Sequence, residues 1–426
     1  MKFSQALAYL NSLQMFKIKL GLVAMDEVLA RLDHPHRQLR MIHLAGTNGK
    51  GSVGAALTSM FTAGGYEVGF YSSPHLDSPR ERFRIGKRFI SEETFTDLLA
   101  LIRARLNDMQ ITYFEFTTAM AFTWFAQQKV DLAVIETGMG GRLDATNVIR
   151  PEVSVITSIS MDHEQYLGDT LAKIAGEKAG IIKAGVPVVT SVNNSEALQV
   201  ITDSCSQKNC QLYLLGRDFS LAADSRHYSG CHWQLPDIPL SLAGTHQQEN
   251  IALALCAAEL LRERLPLAPD HLRQGLEQLQ WPGRQERLPP RRPGHASFLL
   301  DGGHNPAGIA ALKTTLQEEA TQRRVHLIWA AMEDKHTMAA LCSLLPLVQT
   351  CLLTRGTSDR FSAPEALFQQ VPRDQRHQVR TVSSVANALD IAENIAGPED
   401  IICVAGSLYL VGEVRCLLVG PLVSCQ

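Results

Sequence analysis

The chain has 426 residues, too many for one ordinary core; at roughly 150 residues per domain, two or three are expected. With 45% hydrophobic and 19% charged residues it reads as globular rather than disordered, and a net charge of −3 excludes a basic surplus for gripping a nucleic-acid backbone. Nine cysteines, running from Cys205 to Cys425 without a C-x-x-C pair, fit a reducing cytoplasm better than a disulfide framework or structural zinc, and neither a signal-peptide pattern nor a run of ~20 apolar residues predicts export or membrane insertion.

Apolar residues recur at helical spacing over residues 3–13 and 22–32, and Asp33 to His36 breaks the pattern before the first strand. That strand runs into IHLAGTNGKGS, residues 42–52, and an Ala/Leu/Val-rich helix follows from Val53. Strand, glycine turn and helix in this order form an anion cradle. Glycines let backbone N–H groups converge, the helix N-terminus adds its dipole, and Lys50 adds a full charge. The spacing departs from the common G-x-x-x-x-G-K-[ST] loop, because Gly51 separates Lys50 from Ser52.

A second strand over 66–71 ends in SSPHL, which places Ser73 and His75 where α/β sheets gather ligands; a Ser-Pro turn with a surface histidine is the plainer alternative. ERFRIGKRFI, residues 81–90, reads as a hairpin turning at Gly86 and Lys87, with Arg82 and Arg84 either solvated or aimed at an anionic substrate. Ser91 caps a helix to about Leu106, and YFEFTTAMAFTWF from Tyr113 is apolar nearly all round, as a buried helix is. The strand DLAVI delivers Glu136 at its carboxyl end, where P-loop enzymes keep a magnesium-binding acid. The next strand ends near Asp162 and His163, so His163 and Glu136 are expected to share a metal. Asp169 and Thr170 cap a helix through Lys178, which Gly180 ends.

Residues 220–242 look irregular and β-like, and helices are expected over 246–261 and 269–279. WPGRQERLPPRRPG, residues 281–294, has four prolines and four arginines and reads as a linker. The expected domains are therefore 1–283, a P-loop-containing parallel-sheet ATP-binding domain; 284–294, a hinge; and 295–426, a smaller Rossmann-like α/β domain. In the last, strands are expected over 298–300, 325–329, 350–354 and 401–404, with helices after Asn305, His336, Ala363, Ser383 and Ser407.

These stretches together resemble the folylpolyglutamate synthase and dihydrofolate synthase branch of the Mur ligase superfamily. The resemblance rests on HLAGTNGKGSV, SSPHL, YFEFTT, ETGMGGRLDATN, ITSISMDHEQYLGDTLAKIAGEKAGIIK, HQQEN, WPGR, LDGGHNP and GSLYLVG, in family order across residues 43–412. ETGMGG in place of EVGLGG, ERF in place of ERI and a glycine in LDGGHNP are its departures, and none removes a charged group or metal ligand.

The resemblance implies ATP-dependent ligation of glutamate to a carboxylate through an acyl phosphate. It implies ATP contacts at Thr47, Asn48, Gly49, Lys50, Gly51, Ser52, Asn250, Arg284 and Asp301. It implies two Mg2+ positions served by Ser73, Glu136 and His163, with Lys178 carbamylated to an N6-carboxylysine. Glutamate binding falls to Arg82, His304 and Ser407, and a pterin surface to Thr112, Tyr113, Phe114, Glu115, Leu143 and Asp144. Lys50, Glu136, His163 and Lys178 are the implied catalytic set. The implied substrates are dihydropteroate, reduced folates, L-glutamate and ATP, handled by a monomer. Polyglutamylation alone is the nearest alternative, and a P-loop nucleotide switch is the alternative from another class.

Overall fold

The computed structural model describes residues 1–13, 21–332, 338–358 and 360–423. Two helices, α1 (Phe3–Ser12) and α2 (Val23–Arg31), precede an eight-stranded sheet. Its strands are β1 (Met41–Ala45), β2 (Val68–Tyr71), β3 (Phe83–Ile85), β4 (Arg88–Phe89), β5 (Leu132–Glu136), β6 (Val153–Ile156), β7 (Val188–Thr190) and β8 (Leu212–Leu214), in the order β4-β3-β2-β5-β1-β6-β7-β8. β3 and β4 are antiparallel, forming the expected hairpin, and the other six run parallel. β1 is buried along its whole length because helices cover both faces, which is why its sequence is apolar on both sides apart from His43 rather than alternating.

One face packs on α3 (Lys50–Ala63), with α4 (Glu92–Leu106) and α5 (Tyr113–Gln127) on the other side. α6 (Glu164–Leu167), α7 (Leu171–Ala179) and α8 (Ser195–Gln207) follow β6 and β7. The irregular stretch forms a small antiparallel sheet of β9 (Ser220–Leu221), β10 (Tyr228–Ser229) and β11 (Gln234–Leu235). It packs with α9 (Thr245–Leu260) and α10 (Pro269–Glu277) against α3.

The second sheet has six strands: β12 (Glu286–Leu288), β13 (Ser297–Asp301), β14 (Val325–Trp329), β15 (Thr350–Leu353), β16 (Val379–Thr381) and β17 (Ile401–Ala405), ordered β12-β13-β17-β14-β15-β16. Its helices are α11 (Pro306–Ala320), α12 (Met338–Leu344), α13 (Pro364–Gln370), α14 (Val385–Ile395) and α15 (Leu408–Val419). α11 to α13 cover one face and α14 with α15 the other.

Three expectations change. The stretch read as a linker contains β12, an edge strand antiparallel to β13. Two of its four arginines are anchored rather than solvated: Arg287 bonds Glu319 and Arg291 bonds Glu393. β16 was not expected; three residues are too short for alternation to register. His336, read as a helix start, lies outside the described residues. Among the described residues, no helix is long and apolar enough to cross a membrane.

Candidate active site

The carboxyl ends of the central strands converge with the start of the second sheet on a cleft of about 310 Å³. The glycine turn begins at Gly46, with φ 146°, and Gly49 caps α3 with φ 90°, conformations that disfavour side chains. A Cβ on Gly49 would also run into the amide of Asn250. The helix begins at Lys50, three residues before the expected start, so Lys50, Gly51 and Ser52 form its first turn and their N–H groups face the cleft end.

Two lysines meet at one carbonyl. Lys50 Nζ donates to Gly46 O at 2.9 Å and to Thr47 O at 3.2 Å, while Lys178 Nζ donates to the same Gly46 O at 2.9 Å. Lys178 is only 3% exposed. Burial, reinforced by the neighbouring Lys50 charge, brings its pKa down from 10.5 to about 7, against the pull of Asp162 and Asp144.

Glu136 is buried at the end of β5, and burial raises its pKa to about 6 although Lys50, Arg284 and Arg82 favour the ionised form. The Ser73 N–H donates to Glu136 Oε2 at 3.2 Å, which sets serine and carboxylate side by side. Across the cleft, burial likewise raises Asp301 to about 6, while Arg284 and the Gly303 N–H, 2.6 Å away, stabilise its charge. Arg284 is itself pushed below its ordinary value by desolvation.

The donor chemistry fits magnesium. Ser73 and Glu136 offer oxygen, which a hard cation prefers, and the buried carboxylate lacks a directly bonded cation of its own. Among the described residues, no three His, Cys, Asp or Glu side chains cluster to hold a metal. Magnesium here would therefore depend on oxygens supplied by phosphate and water, as Mg2+ sites commonly do. His163 caps α6 in a left-handed conformation, and its Nε2 lies 3.9 Å from Asp162 Oδ1.

One cleft thus brings together Thr47, Asn48, Gly49, Lys50, Gly51, Ser52, Ser73, Glu136, His163, Lys178, Asn250, Arg284, Asp301 and His304. Arg82 and Ser407 lie outside its lining. Arg82 Nε donates to His75 Nδ1 at 2.9 Å, and its guanidinium sits 5.3 Å from the Tyr113 ring centre. Ser407 caps α15, accepting from Tyr409 N. The pterin candidates also lie outside. Thr112 and Glu115 Oε2 form a reciprocal capping box on α5, leaving Glu115 Oε1 buried without a partner, and Asp144 accepts from Thr146 N, Met139 N and the Thr146 hydroxyl. Phe114 presses its ring against Gly138, Tyr113 is buried, and Leu143 is half-buried.

Sequence reasoning missed Asn305. Its Nδ2 donates to Asn48 Oδ1 and to Asp162 Oδ2, both at 3.0 Å, while its Oδ1 accepts from Gly308 N to cap α11. The sequence places it beside Asp301 and His304 after a strand end but gives it no contact of its own. Gln247, paired with Asn250 at 2.9 Å, and His246 also line the cleft without a spacing signal.

The Mur ligase middle domain matches residues 44–258, and the Mur ligase glutamate ligase domain matches residues 283–408. The dihydrofolate synthase/folylpolyglutamate synthase of Bacillus subtilis is 34% identical, over 97% of this chain and 98% of that protein. The folylpolyglutamate synthase of Lacticaseibacillus casei is also 34% identical, with 99% of each chain covered. Among solved structures, E. coli FolC in complex with DHPP and ADP superposes with a TM-score of 0.89 at 30% identity, covering 98% of this chain and 97% of that one. Site geometry, domain matches and full-length similarity agree, and the chain belongs to the Mur ligase superfamily, within the family of dihydrofolate and folylpolyglutamate synthases.

Proposed function

We propose that the protein ligates L-glutamate to dihydropteroate, giving dihydrofolate, and to reduced folates, giving folylpolyglutamates, with ATP as the energy source. The observation that carries this reading is the single cleft in which a phosphate cradle, a buried carboxylate and the Arg284–Asp301 pair from the second sheet's side face one another. A carboxylate is a poor electrophile. Its oxygen attacks the γ-phosphorus of ATP, the bond to the bridging oxygen breaks, and ADP departs from an acyl phosphate. The glutamate nitrogen then attacks the acyl carbon, the C–O bond to phosphate breaks, and the nitrogen gives up a proton.

This chain's residues supply position and charge for both steps. The N–H groups of the glycine turn and Lys50 hold the β- and γ-phosphates, with Thr47, Ser52 and Asn250 completing the nucleotide contacts. Arg284 and Asp301 bring the second domain onto the nucleotide, so binding closes the cleft and release reopens it. Ser73, Glu136 and His163 hold magnesium, which when bound neutralises charge on the transferring phosphoryl oxygens. Arg82, His304 and Ser407 receive glutamate, and the surface of Thr112, Tyr113, Phe114, Glu115, Leu143 and Asp144 receives the pterin, chiefly through ring contacts.

Lys178 is carbamylated in this reading. Only a neutral amine attacks carbon dioxide, and a pKa near 7 makes that form available. The N–C bond forms, a proton leaves, and an anionic carbamate replaces a cation beside the metal. The protein acts as a cytoplasmic monomer with domains 1–283 and 295–426 about a hinge at 284–294, and Arg284 is the hinge residue nearest the nucleotide.

The test is phosphate release with magnesium, ATP and glutamate, with either dihydropteroate or tetrahydrofolate, followed by product masses. One glutamate gained on each acceptor is expected. Gain on tetrahydrofolate alone leaves a polyglutamylating enzyme, and glutamate-independent release with neither acceptor returns the protein to the nucleotide-switch class. For Lys178, rescue of Lys178→Ala by small carboxylic acids is expected, and a plain amine in electron density would end that assignment.

A further inference from the structure

A second cavity of about 60 Å³ lies behind the SSPHL segment and shares Pro74 and Arg284 with the nucleotide cleft. Its walls are mostly apolar, with Phe70, Trp281 and Leu408 among them, yet it contains Arg84. The Arg84 guanidinium stands 5.4 Å from the centre of the Phe70 ring and 5.9 Å from that of Trp281. Its Nε is buried and has no hydrogen-bond partner. Burial alone pushes its pKa down to about 10, and no carboxylate pulls it back.

The ring faces offset part of the cost of burying this cation, but they do not replace a counter-ion. The carboxylate on the same cavity wall is already engaged. Glu81 accepts from the N–H groups of Leu76, Asp77 and Ser78 at 2.7 to 3.0 Å. His75 adds a donor. Arg82 Nε donates to His75 Nδ1, so Nδ1 is the acceptor and the ring's proton lies on Nε2. A half-buried cation whose Nε is enclosed, an imidazole N–H and the Ser72 hydroxyl, set among apolar walls, make a receptor for a carboxylate on a short carbon chain.

We propose that this cavity receives the carboxylate of a glutamyl unit, with Arg84 as its counter-charge. The proposal rests on the ligase reading above and names a specificity residue for it. Two substrates carry that group. Incoming glutamate has it in every round. An acceptor that already bears glutamate has a second carboxylate left over when the first reacts, whereas dihydropteroate has only the one that reacts.

The test compares wild type with Arg84→Met, which keeps an unbranched arm between the two rings, and Arg84→Lys, which keeps the charge. KM and kcat are measured for glutamate, dihydropteroate and tetrahydrofolate, and the ligand-free Tm is recorded. KM is expected to rise about tenfold or more for one substrate in Arg84→Met, the scale of a lost hydrogen bond to a charged group. Arg84→Lys is expected to recover much of it, and Tm is expected not to fall, because an uncompensated cation has been removed. A rise in KM for glutamate with both acceptors identifies the incoming amino acid. A rise for tetrahydrofolate alone identifies the acceptor's tail.

Unchanged KM values throughout would overturn the proposal. So would a lower Tm with kcat reduced equally for all substrates, because that is the signature of a structural pillar. If wild type ligates neither acceptor, the ligase reading itself fails; calorimetric titration of glutamate into wild type and Arg84→Met then decides the cavity separately, and equal affinities would reject it.

Discussion

Asn48 and Asn305, 257 positions apart, exchange two hydrogen bonds: Asn48 Nδ2 donates to Asn305 Oδ1 at 3.1 Å, and Asn305 Nδ2 donates to Asn48 Oδ1 at 3.0 Å. The first residue belongs to the phosphate cradle and the second caps α11, so the pair ties the nucleotide loop to the second sheet's first helix. Asn305→Asp separates these roles. Aspartate keeps the cap but loses the donor to Asn48 and sets a second carboxylate against Asp162. The expected result is a KM for ATP raised about tenfold with Tm nearly unchanged, together with a larger radius of gyration by X-ray scattering. Asn305→Ala should lose about 1 kcal/mol of stability as well, through the cap.

Gly180 is a case where the right residue had the wrong reason. Glycine after a helix signals a left-handed cap, but Gly180 has φ −59° and ψ −19°, which any residue adopts. Its side-chain position is occupied instead: a Cβ would lie 2.7 Å from the backbone N of Arg142 and closer still to its Cα. Gly180→Ala therefore forces the GGR segment away from α7, and a loss of about 1 to 3 kcal/mol in urea unfolding is expected. Because α7 also carries Lys178, turnover should fall with it. Stability within error of wild type would show that the segment yields freely.

The same contrast explains what was legible. Lys50 and Glu136 follow from local pattern, because a strand end or helix start places a side chain with little help from distant sequence, whereas Lys178 draws its role from the resemblance alone. The partners of Asn305 and Gln247 depend on what another segment brings opposite, and for Arg84 the same dependence leaves two readings open, solvated or aimed at an anion. Thr112 and Glu115, three residues apart before an apolar helix, carry a capping-box pattern not named in the sequence reading, and the resemblance alone gives them a ligand role. The stretch read as a linker contains a strand for a physical reason. Prolines and arginines mark exposed chain, and β12 is a short edge strand whose arginines reach carboxylates of its own domain.

His43 supplies a pH dependence unrelated to catalysis. It is fully buried in β1 with Nε2 2.8 Å from Thr146 Oγ1, and burial lowers its pKa from 6.5 to about 3. The folded state therefore holds the neutral ring while the unfolded chain takes up a proton. This contribution is full above about pH 6.5 and is lost progressively as pH falls toward 3. Between pH 6.5 and pH 5 the loss is about 2 kcal/mol. His43→Gln is expected to flatten that part of the urea-stability profile, and an unchanged slope would place the acid sensitivity elsewhere.

Glu136 couples stability to catalysis. Burial raises its pKa from 4.5 to about 6, so its contribution favours the folded state when protonated: fully below about pH 4.5, and lost as pH rises through 6. Without magnesium, in a chelating buffer at pH 7.5, the ionised carboxylate should cost about 2 kcal/mol, a penalty absent at pH 4.5. Glu136→Gln should recover it, appearing more stable than wild type by urea unfolding at pH 7.5 and equal to it at pH 4.5. Magnesium with nucleotide should stabilise wild type more than nucleotide alone does, whereas adding magnesium to nucleotide should give the variant little further stability. In the same preparations, Glu136→Gln and Glu136→Ala should show no measurable ligation while remaining folded, because the oxygen donor beside Ser73 is lost or has lost its charge. Near-normal ligation in Glu136→Ala would remove this carboxylate from the metal site, and the raised stability of Glu136→Gln would then reflect burial alone.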